Sequence, residues 1–276
     1  MKVVGIGDNV ADCYEHCQMM YPGGNALNFS VYAHMLGIDS AYVGVFGNDG
    51  IADFIQTQLR RLDVDFSLCK QVPGENGYAR LTIEQGERVF LGSNAGGIAQ
   101  QTSMSFIREY SDYLTSFSLA HCGCYGYMDD QLAFLKTLGV LVSYDFSDDF
   151  DLKAALRLCS MIDFGFFSCS DYSEQQTVKI LQQAHANGCS VAIATRASDD
   201  VIAWDGYQMI RYSPKPITPV DTLGAGDAFI CAFLMNYLQK GASSQCIDES
   251  LKKGCEFAEK ICGLNGAFGQ GIVIHR

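Results

Sequence analysis

Asp221-Thr222-Leu223-Gly224-Ala225-Gly226-Asp227 leads directly into an apolar segment, residues 228–238, which the sequence predicts to be a buried helix. Two glycines and an alanine at a helix start leave several backbone N–H groups unobstructed, and these donors suit a phosphate group. Asp227 stands in the first turn, where a carboxylate can accept the proton of an attacking hydroxyl. The stretch predicts a phosphoryl-transfer site in which Gly224, Ala225 and Gly226 hold the transferred group. The alternative is a glycine-rich turn with a merely structural Asp.

Short apolar runs alternate with amphipathic stretches on either side of this segment. The predicted strands cover residues 3–6, 41–46, 119–121, 140–145, 163–167 and 191–195, and the predicted helices cover residues 25–36, 51–62, 131–138, 152–158, 174–186, 225–238 and 245–261. Such alternation is typical of an α/β fold with a mostly parallel sheet and helices on both faces. Ligands of such sheets bind beyond the carboxyl ends of the strands, so the residues that follow strands are the candidate site residues.

One stretch, residues 66–92, departs from this alternation. Turn residues separate the short runs 78–83 and 88–91, which predicts an antiparallel insert. A second hairpin is predicted around Asp205-Gly206. Because no linker or repeat interrupts the rest, residues 1–276 are predicted to form a single domain.

Composition and charge exclude several classes of function. The 276 residues carry a net charge of −12 and are 48% hydrophobic, which predicts a large core and disfavours nucleic-acid and membrane partners. The twelve cysteines contain no CxxC pair and are expected to be buried thiols in a reducing compartment. With no long uncharged apolar stretch, the chain is expected to be cytoplasmic.

The 221–227 segment, together with Gly23-Gly24-Asn25-Ala26-Leu27-Asn28, resembles the two signatures of the ribokinase/PfkB carbohydrate kinase family. The resemblance extends over nearly the whole chain. It implies a ribokinase-like three-layer sandwich with a small β-lid, and a reaction in which ATP phosphorylates a sugar hydroxyl. In that reaction Asp227 would be the base.

The resemblance also implies an acceptor site. Asp12, Gly24 and Asn28 match positions that bind the sugar in the family, and Arg88 falls where relatives present lid side chains to it. The lid would consist mainly of residues 66–92 with the segment around 9–20, and it implies a homodimer formed through the lid. Without the resemblance, Asp12 is equally well explained as an ordinary acidic residue in a loop. Arg88 is equally well explained as a solvent-exposed residue of a strand.

For the nucleotide and its ions the resemblance implies ATP, Mg²⁺ and K⁺. Thr195, Gly224 and Gly226 would contact the nucleotide, Asp171 would hold Mg²⁺ through water, and Asp221 would help to hold a monovalent cation. The sequence departs from the family here. Residues 168–171 read Ser-Cys-Ser-Asp where the family has Asn-x-x-Glu, and residues 195–200 lack both glycines of the nucleotide loop.

Within the family the chain is most similar to the bacterial fructoselysine 6-kinase type. The similarity lies in five short segments: Gly7-Asp8-Asn9, Gly24-Asn25-Ala26, Arg88-Val89-Phe90, Asp145-Phe146-Ser147-Asp148 and Ala203-Trp204-Asp205-Gly206. The acceptor is therefore expected to be the 6-hydroxyl of fructoselysine or a related fructosamine. The alternatives are fructose, a ketodeoxy sugar acid or a nucleoside as acceptor, or a sugar-binding protein without catalysis.

Overall fold

The computed structural model describes residues 1–84, 87–197 and 199–274, without the side chains of Glu84, Glu87 and Arg88. Within them the chain forms a nine-stranded central sheet and a separate five-stranded sheet. The strands are β1 Lys2–Gly7, β2 Val10–Tyr14, β3 Met19–Gly23, β4 Asp39–Phe46, β5 Lys70–Gln71, β6 Gly77–Glu84, β7 Glu87–Ser93, β8 Leu119–Gly123, β9 Leu141–Asp145, β10 Phe164–Ser168, β11 Val191–Thr195, β12 Val201–Trp204, β13 Met209–Tyr212 and β14 Ile272–Val273. The helices are α1 Asn25–Met35, α2 Gly50–Arg61, α3 Ile98–Gln101, α4 Ser111–Leu114, α5 Leu132–Thr137, α6 Leu152–Leu158, α7 Glu174–Ala186, α8 Ala225–Gln239 and α9 Ile247–Ile261.

The central sheet has the order β13-β12-β11-β10-β9-β8-β1-β4-β5. Its strands from β11 to β5 run parallel, whereas β12 and β13 add an antiparallel hairpin at one edge. The expected mostly parallel α/β fold is thereby confirmed. Because the parallel strands end at one edge, the residues after β1, β8, β9, β10 and β11 share that edge.

Helices cover both faces of this sheet. Val3 of β1 packs into an apolar cluster with α1, α2, α8 and α9, whereas its neighbour Val4 packs into a second cluster with α5 and α7. This alternation follows from the two-residue period of a strand. The central sheet is therefore the middle layer of three.

Local capping explains where the longer helices begin and end. The carboxylate of Asp49 accepts the N–H of Ala52 at 2.9 Å at the start of α2, and Ser173 forms a capping box with Gln176 at the start of α7. Gly188 follows α7 with a φ of 118°, a backbone conformation that stops a helix. The helix boundaries expected from the sequence agree with these ends to within a few residues.

The second sheet has the order β14-β3-β2-β6-β7. The antiparallel pair β6–β7 coincides with the predicted insert, whereas β2, β3 and β14 were not predicted as strands. Asp12, expected in a loop after the first strand, lies in the middle of β2 and pairs with Tyr21. Strand β2 also pairs with β6, which lies more than 60 residues later, and such long-range pairing gives no local sequence signal.

No helix in the described part of the chain has the length and apolar character that crossing a membrane would require.

Candidate active site

The start of α8 lies on the carboxyl edge of the central sheet. Gly224 caps the helix with a φ of 72°, in the left-handed region. A Cβ at this position would lie 2.4 Å from the hydroxyl oxygen of Tyr32 and 2.8 Å from Cβ of Ala267. Glycine is thus required by both conformation and space, and it directs the helix N-terminus into the site.

Two backbone donors are open at this N-terminus. The N–H of Ala225 donates to the carbonyl of Thr222 at 3.3 Å, so one of the three amides predicted to hold an anion is engaged within the turn. Among the described residues, the N–H groups of Gly226 and Asp227 have no acceptor, and a Cβ at Gly226 would meet no atom within 4 Å. The open end of this fifteen-residue helix suits an anion such as a phosphoryl group.

Asp227 lies beside these donors, partly buried and held by two amide groups. Nδ2 of Asn28 donates to its Oδ2 at 2.7 Å, and Nδ2 of Asn25 donates to its Oδ1 at 2.8 Å. Burial raises the pKa of Asp227 to about 8; the hydrogen bond from Asn28 opposes this, and the charge of Asp145 adds to it. A carboxyl group whose pKa lies near neutrality is suited to general-base catalysis.

Asn25 joins Asp227 to the central sheet. Its Nδ2 also donates to Oδ2 of Asp145 at 2.9 Å, and its Oδ1 lies 3.0 Å from Nε2 of His121. Asp145 ends β9, and burial raises its pKa to about 6. The amide of Asn25 is therefore the junction of strands β8 and β9 with helices α1 and α8.

The carboxylate of Asp8, just beyond β1, caps α1. It accepts the N–H groups of Asn25 at 2.8 Å and Ala26 at 3.1 Å. Burial raises the pKa of Asp8, although these two hydrogen bonds lower it. Gly24 precedes the helix with a φ of 112°, and a Cβ there would lie 2.8 Å from the carbonyl oxygen of Asp8. Gly24 thus allows Asp8 to approach α1.

Two of the residues predicted to bind the acceptor, Asn28 and Asp12, carry buried polar groups. Oδ1 of Asn28 is buried and has no hydrogen-bond partner among the described residues, and the residue is 4% exposed. The carboxylate of Asp12 is also buried and lies against Gly23, where a Cβ would come within 2.1 Å of Oδ2. For Oδ1 of Asn28, a buried acceptor without a donor costs about 1–3 kcal/mol, which a ligand hydroxyl would recover.

The residues predicted to contact nucleotide and metal lie farther along the same edge. Thr195 ends β11 and accepts the N–H of Cys169 through its carbonyl, and Asp171 is exposed in the loop after β10. Arg196 pairs with Asp199 at 3.3 Å, and its buried Nε has no partner in the part of the chain that the structure describes. Within the described ranges, no cluster of three or more His, Cys, Asp or Glu side chains could coordinate a metal ion. A hydrated ion that keeps most of its waters is compatible with this sparse donor set.

Asp221 holds the loop before α8 in place. Its Oδ2 accepts hydrogen bonds from the hydroxyl of Tyr14 at 2.5 Å and the N–H of Gly266 at 2.9 Å, and its Oδ1 accepts the N–H of Leu223 at 3.0 Å. The side chain predicted to help hold a cation is thus already bonded through both oxygens. The side chain of Arg88, predicted to face the acceptor, lies outside the described residues.

The structure brings Asp227 and Asn28 into contact. It also places Asn25, Asp145 and His121 in the same hydrogen-bond network, although the sequence predicted no catalytic role for these three residues. Asp145 ends a predicted strand and His121 lies within the next strand of the sheet, so their positions were a usable signal. The polar partners of His121 had no such signal, because two of its hydrogen bonds span 22 and 96 residues.

Comparison with known proteins finds a matching family and similar relatives. The family described as "pfkB family carbohydrate kinase" matches residues 2–132 and 162–268. The chain is 37% identical over 272 residues to fructosamine kinase FrlD of Bacillus subtilis (strain 168), covering 98% of this chain and 94% of the relative. It is 30% identical over 264 residues to fructoselysine 6-kinase of Escherichia coli (strain K12), covering 95% and 98%.

Solved structures share the fold at low sequence identity. A fructokinase with bound ATP from Xylella fastidiosa has a TM-score of 0.82 at 17% identity, covering 97% of this chain and 94% of that one. An Arabidopsis thaliana ribokinase complexed with ribose and ATP has a TM-score of 0.79 at 18% identity, with the same coverage. The ribokinase-like fold expected from the sequence is confirmed.

Proposed function

The chain belongs to the pfkB family of carbohydrate kinases, and we propose that it transfers the γ-phosphoryl group of ATP to the 6-hydroxyl of fructoselysine or a related fructosamine. Two relatives that align over nearly the whole chain are named for fructosamine and fructoselysine, which favours this acceptor over other sugars. An acceptor of this kind carries an ammonium group, which is compatible with the chain's net charge of −12.

The observation that carries the proposed reaction is the placement of Asp227 beside the open N–H groups of α8. The ionised carboxylate of Asp227 takes the proton of the 6-hydroxyl while the hydroxyl oxygen bonds to the γ-phosphorus. The bond from that phosphorus to the β,γ-bridging oxygen breaks, and ADP leaves. The N–H groups of Gly226 and Asp227 donate to the transferring group, with Gly224 setting the turn.

Burial and hydrogen-bonding capacity support the acceptor site. Asn28 offers its unpartnered Oδ1, and the buried carboxylate of Asp12 can accept two hydroxyl groups. Because Gly24 has no side chain, the start of α1 lies close to Asp8 and Asn9, which directly precede strand β2 of the five-stranded sheet. We assign that sheet the role of a lid over the sugar, which excludes water so that phosphate passes to the sugar instead.

Nucleotide and ions would occupy the carboxyl edge beyond Asp227. Thr195, Gly224 and Gly226 would lie along the nucleotide, and Asp171 would bind hydrated Mg²⁺ through water. Mg²⁺ neutralises phosphate charge when bound. For K⁺, the carboxylate of Asp221 offers one remaining lone pair on Oδ1. Its other lone pairs accept hydrogen bonds from Tyr14, Leu223 and Gly266.

A panel of acceptors assayed by coupled ADP release tests the proposal. Fructoselysine and other fructosyl amino acids should give the highest kcat/KM, with fructose, a ketodeoxy sugar acid and a nucleoside far below. A higher value for one of those three would transfer the assignment to another acceptor within the same chemistry. Calorimetry that finds sugar binding without ATP binding, together with no turnover, would indicate a sugar-binding protein without catalysis.

The lid sheet also exposes apolar side chains. Phe90 is 65% exposed and Leu91 is 46% exposed on β7. We propose that two copies of the chain pair through this sheet, and sedimentation of the wild type and of a Phe90→Ser variant tests it.

A cytoplasmic location stays a prediction, supported by twelve free cysteines.

A further inference from the structure

The side-chain amide of Asn25 can adopt only one orientation. Its Nδ2 faces Oδ2 of Asp145 at 2.9 Å and Oδ1 of Asp227 at 2.8 Å. While the two carboxylates are ionised they only accept hydrogen bonds, so the NH₂ end faces them and Oδ1 points the other way. At that other end it meets Nε2 of His121 at 3.0 Å.

His121 is locked in a single protonation state by its surroundings. The ring is fully buried, and burial lowers its pKa to about 3, so the imidazole is neutral. Nε2 must carry the hydrogen, because it faces the Oδ1 acceptor of Asn25. Nδ1 is then an acceptor, and it receives the hydroxyl of Ser143 at 2.8 Å. Hydrogen bonds thus run in one direction from Ser143 through His121 and Asn25 to Asp227.

Packing holds the same arrangement from two sides. The ring of Phe29 stacks on that of His121, with centroids 4.4 Å apart and planes inclined by 27°. Gly123, two residues after His121, leaves the space for the amide, since a Cβ there would lie 2.4 Å from Oδ1 of Asn25. The backbone of Gly123 is extended, with a φ of −145° and ψ of 167°, so only this space requires glycine.

We propose that His121, backed by Ser143, is a positioning residue for phosphoryl transfer: it fixes the Asn25 amide and through it the carboxylate of Asp227. Without the N–H of His121, Oδ1 of Asn25 would be a buried acceptor that has lost its donor, and the amide could shift away from Asp227. Asp227 would then lose one of its two donors and its alignment with the acceptor. The inference rests on the proposed role of Asp227 as the base.

Paired substitutions at His121 separate positioning from packing. His121→Leu removes the donor, and we expect kcat to fall by about 10- to 100-fold while the acceptor KM changes by less than about 3-fold. His121→Gln keeps an N–H close to the position of Nε2 and should recover most of kcat. A loss of kcat that is equal in both variants would show that only the ring's packing matters and would overturn the proposal.

Ser143 and nuclear magnetic resonance supply a test that does not depend on turnover. In ¹⁵N-histidine-labelled protein, the signal lost in His121→Gln should be that of a neutral Nε2–H ring between about pH 5 and 8. Ser143→Ala should alter that signal and lower kcat, whereas Ser143→Thr, which keeps the hydroxyl, should do neither. A His121 ring that titrates in this range, or that carries its hydrogen on Nδ1, contradicts the inference.

The outcomes distinguish this inference from the proposed function. If the wild type lacks kinase activity with every acceptor, the proposed function fails while the ring's tautomer can still be read. If the wild type is active but His121→Leu and Ser143→Ala keep full kcat, the positioning role fails alone. Should His121→Leu not fold, Gly123→Ala displaces the same amide at its Oδ1 atom and is expected to reduce kcat similarly.

Discussion

Nδ2 of Asn28 donates a 2.7 Å hydrogen bond to Oδ2 of Asp227, although 199 residues separate the two in sequence. The residue assigned to the acceptor hydroxyl is thus in direct contact with the residue assigned to its proton. Oδ1 of the same amide has no hydrogen-bond partner among the described residues. An acceptor hydroxyl bound to it would therefore be separated from the base by a single side chain, that of Asn28.

Removal of the carboxylate should abolish most turnover without preventing nucleotide binding. We expect Asp227→Asn to lower kcat by about 10²–10⁴, the usual contribution of a general base. Nucleotide affinity, measured by calorimetry, should change little because the backbone donors remain. Asp130→Asn, which removes an exposed charge, is the matched control. Activity of Asp227→Asn equal to that of the control would exclude Asp227 as the base.

Activity should rise with pH as Asp227 loses its proton. The pKa of about 8 means that the free enzyme is mostly protonated at this residue below that pH, so kcat/KM should increase through about pH 8. Asp145 of β9, Asp8 after β1, Tyr32 of α1 and Cys231 of α8 are the titratable groups around it. Asp145→Asn removes the nearest like charge and should shift the profile to lower pH. An unshifted profile would show that Asp145 does not influence the base.

The same titration should affect stability in the opposite sense. A carboxyl group with its pKa raised from 3.8 to about 8 holds a proton in the native state that the unfolded chain releases. The free energy of unfolding therefore falls as pH rises through that window. Residue 227 of the Asp227→Asn variant does not titrate. The Tm of the wild type should therefore fall relative to the Tm of this variant as the pH rises from 5 to 9. A constant difference in Tm across this range would contradict the raised pKa.

Two glycines at the start of α8 should respond differently to the same substitution. Gly224→Ala forces a left-handed residue against Tyr32 and Ala267, and it should lower the free energy of unfolding by more than about 1 kcal/mol. Gly226→Ala enters open space in a normal helix, so the free energy of unfolding should rise by up to about 1 kcal/mol while kcat/KM for ATP falls about 10-fold. Urea unfolding and initial rates measure both effects. A fully active Gly226→Ala variant would argue against binding of the transferring phosphoryl group at the N-terminus of α8.

The bond between Tyr14 and Asp221 should stabilise the contact of the five-stranded sheet with the loop before α8. Both residues are buried, so we expect Tyr14→Phe to cost about 1.5–3 kcal/mol in the free energy of unfolding. Tyr113→Phe removes an equivalent bond to Asp65 at an exposed position, and its cost should be smaller. Equal costs in urea unfolding would show that burial does not strengthen the Tyr14 bond.

Local signals in the sequence were sufficient to predict the central sheet except for β5, its longer helices and the placement of Asp227 in the first turn of α8. Each parallel strand is a short apolar run, and the glycines around Asp227 are adjacent in sequence. The contacts of Asp227 were not predictable in this way. Asn25 reaches Asp145 and Asp227 across 120 and 202 residues, and only the order of strands in the sheet brings them together.

Strands β2 and β3 were not predicted for a related reason. Asp12 interrupts the apolar pattern of β2, and β3 contains Pro22 and Gly23, which are poor strand formers. Their stability comes from pairing with each other and with β6, and the carboxylate of Asp12 is accommodated because Gly23 has no side chain. Such tertiary effects outweigh local propensity in a sheet.

The scatter of the site along the chain also affects how activity appears during folding. Groups supplied by α1, β8, β9 and α8 meet at one amide, so a growing polypeptide lacks the complete centre until α8 has docked. Contacts of such long sequence separation form late and slow the folding of a domain. Recovery of catalysis after dilution from denaturant should therefore coincide with the final cooperative phase of refolding, with no earlier burst of activity.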